Sequence, residues 1–320
     1  MEVNMILKNY IFKNKKILVA QEKERIDWVS LIKPTEEEIK YITSKYFLPR
    51  DIIRESSNLN TASHINYITN LKQQQITEIL LLCAGEGTFG KNNVTTGYPL
   101  LILLVDSTII TVTDIILPFI APPKKLGEVN NNKEELAIHL ISSVYEEFKK
   151  QLLKIESEII EIERNIHKLQ TNSAGLDRLA ACQKSIVFLE SALESNEKTF
   201  QYILEHCEKL FLNNAKYKDK QYQLRIQRLQ TLKLAKTLTT LISQLSDMFS
   251  NIISYQLNII MKILTELSII ITIPTIIVGL WGVNTKVPFQ SSMPGFFIVS
   301  IITVIATLTC YIVLKHIKYL

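Results

Sequence analysis

Two uncharged apolar runs close the chain and constrain it more than any other feature. They are Leu267–Trp281 and Gly295–Leu314, joined by the 13-residue loop Gly282–Pro294. The second run has 20 residues, enough for a helix across a bilayer core about 30 Å thick. The first has 15 in strict terms, and about 21 if Met261–Glu266 lie near the interface. Two such runs, adjacent and joined by a short loop, predict a membrane hairpin rather than a buried soluble core.

Charge orients the hairpin. Lys262 and a Lys/Arg-rich segment precede the first run, Lys315, His316 and Lys318 follow the second, and the loop between carries only Lys286. The positive-inside bias places both ends in the cytoplasm and the loop outside. The predicted location is therefore a cell membrane, crossed twice with both termini cytoplasmic. The start, Met1-Glu-Val-Asn-Met-Ile-Leu-Lys8, has no uninterrupted apolar stretch, so no signal peptide is expected.

Everything before residue 259 reads as soluble. The chain has 320 residues, 47% hydrophobic and 21% charged, with net charge +5. No dense basic stripe interleaves with aromatics, which argues against a nucleic-acid partner. Cys83, Cys182, Cys207 and Cys310 are scattered and form no CxxC pair, which argues against a disulfide framework or a zinc site. His206 and Cys207 are neighbours, but adjacent helical residues point about 100° apart. No cofactor is expected.

The first 125 residues predict a mixed α/β domain. Ile17–Ala20, Ile79–Cys83, Leu100–Val105 and Thr108–Thr113 are short apolar or β-branched runs that read as strands, with Asp106-Ser107 as a tight turn. Thr35 and Glu38 form a capping box that opens a helix to about Tyr46. After Pro122-Pro123 the pattern turns helical. Breaks at Thr171–Gly175 and Asn213-Asn214 predict helices over 133–171, 176–211 and 217–281. The last spans roughly 95 Å at 1.5 Å per residue, and a helix of that length needs partners along it. The expected division is a cytoplasmic α/β domain over 1–130, a helical hairpin over 131–216, a stalk helix over 217–258 and a first transmembrane helix over 259–281. The outer loop over 282–294, a second transmembrane helix over 295–314 and a basic cytoplasmic tail over 315–320 complete it.

Inside the first run three polar residues, Ser268, Thr272 and Thr275, recur at spacings of four and three. Extending the stripe adds Gly279 outward and Leu264, Met261 and Asn258 inward. At 100° per residue these seven fall within about 120° of arc. Such a stripe either holds helices together or lines water. With one such helix per chain, only an oligomer could close a pore. Glu266 lies about 160° from Ser268, on the far side. It is expected to face the second helix or lipid, and to form a structural ion pair with Lys315 or Lys318 of its own or a neighbouring chain.

At the outer mouth stand Trp281-Gly282-Val283-Asn284. Here the sequence resembles the CorA family of divalent-cation channels, whose hallmark at this place is Tyr-Gly-Met-Asn. Leu245–Thr265 looks like the family's stalk-to-pore segment, Ser185–Glu197 like the helix before the stalk, and Asp106–Val112 like a hairpin of its N-terminal domain. The resemblance covers nearly the whole chain. It implies a funnel-shaped homopentamer in lipid that admits hydrated Mg²⁺, with Zn²⁺, Co²⁺ and Ni²⁺ as further candidate ions, and no enzyme. It implies that Gly282, Val283 and Asn284 form the ion filter, with Gly282 permitting a tight turn. Asn258, Met261, Leu264, Ser268, Thr272, Thr275 and Gly279 would line the pore. Mg²⁺ gives up its waters reluctantly, so a ring of Asn amide oxygens would read the hydration shell.

Three departures bear on that implication. Val283 stands where the family usually has Met, as in relatives of the ZntB branch that carry zinc. The outer loop has no acidic residue. The regulatory metal sites of the family use carboxylates, while here Lys72-Gln-Gln-Gln75 occupies the corresponding region and the stalk offers only Asp219 and Asp247. Asp247 reads equally well as a solvated stalk residue. A zinc or broad-divalent transporter and a membrane-anchored coiled-coil scaffold without transport are the alternatives.

Overall fold

The computed structural model describes residues 7–13, 16–19, 26–56, 58–89, 92–120, 133–165, 173–206, 215–289 and 294–316. They form two compact units, 1–245 and 246–320.

The first unit is built on a seven-stranded sheet. Its strands are β1 (Leu7–Lys13), β2 (Lys16–Val19), β3 (Trp28–Ile32), β4 (His64–Thr69), β5 (Gln75–Phe89), β6 (Asn92–Val105) and β7 (Thr108–Thr113). The order is β2-β1-β3-β7-β6-β5-β4, antiparallel throughout except for the parallel pair β3–β7. β5 and β6 form a long hairpin in register from Ile76↔Val105 to Phe89↔Asn92. Asp106, at the tight turn into β7, takes a φ of 44°, which Asp tolerates better than most residues.

Each face of the sheet buries apolar side chains. On one, Val29, Leu31, Leu80, Leu101, Leu103, Ile110 and Val112 pack with Ile39, Ile42, Ile52 and Ile53 of two helices, α1 (Glu36–Tyr46) and α2 (Arg50–Glu55). The capping box of α1 forms: Glu38 N–H donates to Thr35 Oγ1 at 3.3 Å and Thr35 N–H to Glu38 Oε2 at 2.8 Å. Two long helices, α3 (Lys133–Arg164) and α4 (Ser173–Glu205), contact β5 and β6. Trp28 is fully buried, stacks on Tyr10 and donates its indole N–H to Thr111 Oγ1 at 3.0 Å. That bond secures the parallel β3–β7 pair, which no short turn could impose.

Two boundaries differ from the sequence reading. Gly175 lies in the first turn of α4 rather than in a break before it. A glycine costs little in a first turn, where the N–H groups have no intrahelical acceptor. α3 ends as a helix at Arg164 instead of 171, and the predicted break at Asn213-Asn214 lies outside the described residues.

α5 (Ala215–Trp281) is a single 67-residue helix, and α6 (Gly295–His316) follows it. Within the first unit α5 buries Leu224, Thr231, Ala235, Leu238, Ile242 and Leu245. These recur every three, four or seven residues, the seam by which a long helix packs on others. Of the cations at Lys220, Arg225, Arg228, Lys233 and Lys236, two meet carboxylates of the helical pair: Lys220 pairs with Glu135 at 2.6 Å and Arg228 with Glu197 at 3.0 Å.

Candidate ion-conduction segment

In the second unit, α5 and α6 are both long and apolar enough to cross a membrane. Their apolar windows are only 6% and 0% buried, unlike the core helices of a soluble domain. α5 runs through Pro274 without interruption. Pro removes the donor that Ile270 O would otherwise meet, and on either side of it Thr272 and Thr275 donate their hydroxyls to Ser268 O and Ile271 O, at 2.7 and 2.8 Å.

The polar stripe and the covered face are opposite sides of α5. Glu266, Ile270, Ile273, Ile277 and Trp281 are half-buried, and they cluster about 180° from Ser268. On α6 the half-buried residues Val299, Thr303, Ala306, Cys310 and Leu314 likewise share one face. Asn258, Met261, Leu264, Ser268, Thr272, Thr275 and Gly279 are all exposed in the single chain, and a side chain added at Gly279 would meet nothing within 4 Å. The stripe therefore turns away from the chain's own second helix.

Hydroxyl direction gives the stripe a definite chemistry. Ser268 Oγ donates to Leu264 O at 2.8 Å, and the threonines do likewise one turn on. With each hydroxyl proton committed to the helix backbone, what the oxygens present outward is lone pairs. Such a surface accepts hydrogen bonds, and the water shell of a cation donates them.

At the outer end Gly282 N–H donates to Val278 O at 2.9 Å and closes the last turn. Gly282, expected to permit a tight turn, stands at the turn that ends α5 and does not take a left-handed φ. A Cβ there would lie 3.3 Å from Val278 O and 3.6 Å from Gly279 O, so its constraint is close packing at the helix end. Among the described residues of the loop, Phe289 is left-handed, with φ 68°. Gly295 opens α6 against Phe289 O, too near for any side chain. Trp281 Nε1 donates to Pro288 O at 3.1 Å and ties the loop back to α5. Val283 and Asn284 follow Gly282 directly and are exposed.

The remaining candidate residues are less connected. Glu266 Oε1 is enclosed without a hydrogen-bond partner. Lys315 is exposed and forms no ion pair with Glu266 in the single chain, and Lys318 lies outside the described residues. Asp219 and Asp247 are both exposed. Among the described residues no group of three or more His, Cys, Asp or Glu side chains could hold a metal ion. Cys207 lies outside the described residues, and Cys83, Cys182 and Cys310 are free thiols.

A family model described as CorA-like Mg²⁺ transporter protein matches residues 23–316. The chain belongs to the CorA family. A curated relative, the cobalt/magnesium transport protein CorA of Methanocaldococcus jannaschii, is 23% identical over 176 residues. That alignment covers 53% of this chain and 53% of the relative, about half the length of each. The complete structure of the CorA magnesium transporter from the same organism matches all of this CorA-family chain with a TM-score of 0.80 and 16% identity, and all of its own length is covered. Full-length CmaX matches with a TM-score of 0.68 at 12% identity, over 95% of this chain and 98% of its own. The cytoplasmic domain of ZntB from Vibrio parahaemolyticus matches at 0.57 and 10% identity, over 79% and 98%. At these identities the likenesses establish the fold: an α/β domain, a long helix and two helices of membrane-spanning length.

Proposed function

We propose that this CorA-family chain is a membrane channel for divalent metal cations, most directly Mg²⁺, assembled as a homopentamer in lipid with both termini in the cytoplasm. The observation that carries the reading is the acceptor-only stripe over Ser268, Thr272 and Thr275, on the face of α5 turned away from α6. Five copies bringing that face to a common axis would line a water-filled path. Asn258, Met261 and Leu264 continue it inward, Met261 and Leu264 as an apolar constriction. Asn284, at the outer mouth, supplies a neutral amide oxygen from each copy. A ring of these accepts hydrogen bonds from the waters of Mg²⁺ without a fixed charge that would trap the ion. The family description and the CorA relative's printed name agree with Mg²⁺ as the cargo.

Transport needs no nucleotide. A membrane potential contributes about 2.3 kcal/mol per charge per 100 mV, so about 4.6 kcal/mol for a dication. Potential-driven Mg²⁺ uptake into proteoliposomes, with and without Zn²⁺ as competitor, tests the reading. Uptake of Mg²⁺ that excess Zn²⁺ barely inhibits is the expected result. Zn²⁺ flux without Mg²⁺ flux would favour the zinc reading, for which Val283 in the outer motif is the supporting observation. No flux of either ion would leave only an anchored scaffold.

A further inference from the structure

Glu135 and His139 stand one turn apart on α3, and Lys220 of α5 enters between them. Its ammonium donates to Glu135 Oε1 at 2.6 Å and lies 3.2 Å from His139 Nε2. An ammonium has three donors and no acceptor. At that distance Nε2 must be the acceptor, which means a neutral imidazole with its proton on Nδ1. Glu135 is almost wholly buried, its side chain 4% exposed, against 25% for Lys220. His139 and Lys220 border a cleft of about 310 Å³ between α3 and α5, also lined by Ser142, Glu146 and Gln227. Ser142 Oγ donates to Gln227 Oε1 at 3.0 Å across it.

We propose that Glu135, His139 and Lys220 form a pH-sensitive latch that fastens the beginning of the stalk helix to α3 and opens when His139 takes up a proton. Among the described residues the charged groups at the latch are Lys220 from α5 and Glu135 from α3. Glu146 lines the same cleft one further heptad along α3, and the glutamines of α5 that line it are neutral. Protonation turns Nε2 from acceptor to donor and sets a second cation against Lys220. One carboxylate then faces two cations. The protonated His139, fixed on the same helix as Glu135, competes for it, and Lys220 is displaced into the cleft. Burial and the adjacent Lys220 both hold the His139 imidazole below its usual range, while Glu135 opposes them.

An unfolded His takes up its proton near about 6.5, and folded His139 takes it up only at lower pH. Between those values the unfolded chain holds more protons, so stability at this contact falls as pH falls through the window. Above it the latch is closed.

The test is hydrogen–deuterium exchange of the full-length protein in nanodiscs at pH 7.5 and 5.5, corrected for intrinsic exchange, read on amides 219–230. Wild type should lose protection severalfold at pH 5.5. His139→Gln keeps a carbonyl oxygen for Lys220 and has no proton to gain, so its protection should equal wild type at pH 7.5 and stay unchanged at pH 5.5. Lys220→Met should show the loosened pattern at both pH values. An equal pH response in wild type and H139Q, no response in wild type, or full protection in K220M would each overturn the latch.

Discussion

The side-chain amide of Asn196 on α4 takes both backbone groups of Leu82 on β5. Its Oδ1 accepts from Leu82 N–H and its Nδ2 donates to Leu82 O, each at 2.8 Å. β4 pairs with β5 only as far as Leu80, so beyond that point this edge of β5 lacks a strand. Asn196 is fully buried and stands in for one. Asn196→Ala strands one donor and one acceptor in the interior, at about 1–3 kcal/mol each. A fall of several degrees in the thermal midpoint is expected, followed by circular dichroism. An unchanged midpoint would mean that water or a shifted strand replaces the amide at no cost.

How much of this was legible in the sequence depended on whether the signal was local. The capping box of Thr35 and Glu38, the run Thr108–Thr113 and the two apolar spans carry their own patterns, and the structure reproduces them as elements. β3 escaped because it is five residues long and all of them are buried. Its parallel pairing with β7 is a long-range contact marked only by Trp28 and Thr111. The ends of the β5–β6 hairpin lie beyond the apolar runs Ile79–Cys83 and Leu100–Val105, in a stretch that carries Gly85, Gly87 and Gly97. In the structure Gly85 and Gly87 lie against the Tyr98 ring and Gly97 lies against Ala192, where a Cβ would collide. The stripe on α5 was legible as periodicity. The commitment of its hydroxyl protons to backbone carbonyls was not, and neither was the close packing that constrains Gly282.

Accessibility along α5 should follow one face. In a background without the four native cysteines, Thr272→Cys and Thr275→Cys should react with small cationic thiol reagents added to the assembled protein. Ile273→Cys, on the half-buried side, should not. Equal labelling at all three positions would reject the one-face pore.

Among the described residues no hydrogen-bond partner meets Glu266 Oε1. An enclosed carboxylate oxygen without a hydrogen bond is costly, and Lys315 is exposed. Along the helices Glu266 lies about 22 Å below Trp281 and Lys315 about 28 Å below Phe296, a difference a Lys side chain covers. Pairing with Lys315 of a neighbouring copy would satisfy both groups. Glu266→Gln should then lower the melting temperature of the oligomer and leave the Mg²⁺/Zn²⁺ preference intact. A changed preference with unchanged melting would place Glu266 in the ion path instead.

Val283 is exposed beside Asn284, and in the proposed filter its backbone, rather than its side chain, faces the ion. Val283→Met should retain Mg²⁺ flux within about a factor of three, since a tenfold loss already corresponds to about 1.4 kcal/mol. Complete loss would make the side chain part of the filter.

The most direct test of the account is Mg²⁺ flux through Asn284→Ala, measured beside wild type in proteoliposomes at equal protein content and equal oligomer by size-exclusion chromatography. The amide oxygen is what the proposed filter offers to the hydrated ion, and its removal leaves the helices and their packing untouched. Flux near that of empty liposomes with an intact oligomer is the expected result. Wild-type flux in the variant would contradict it.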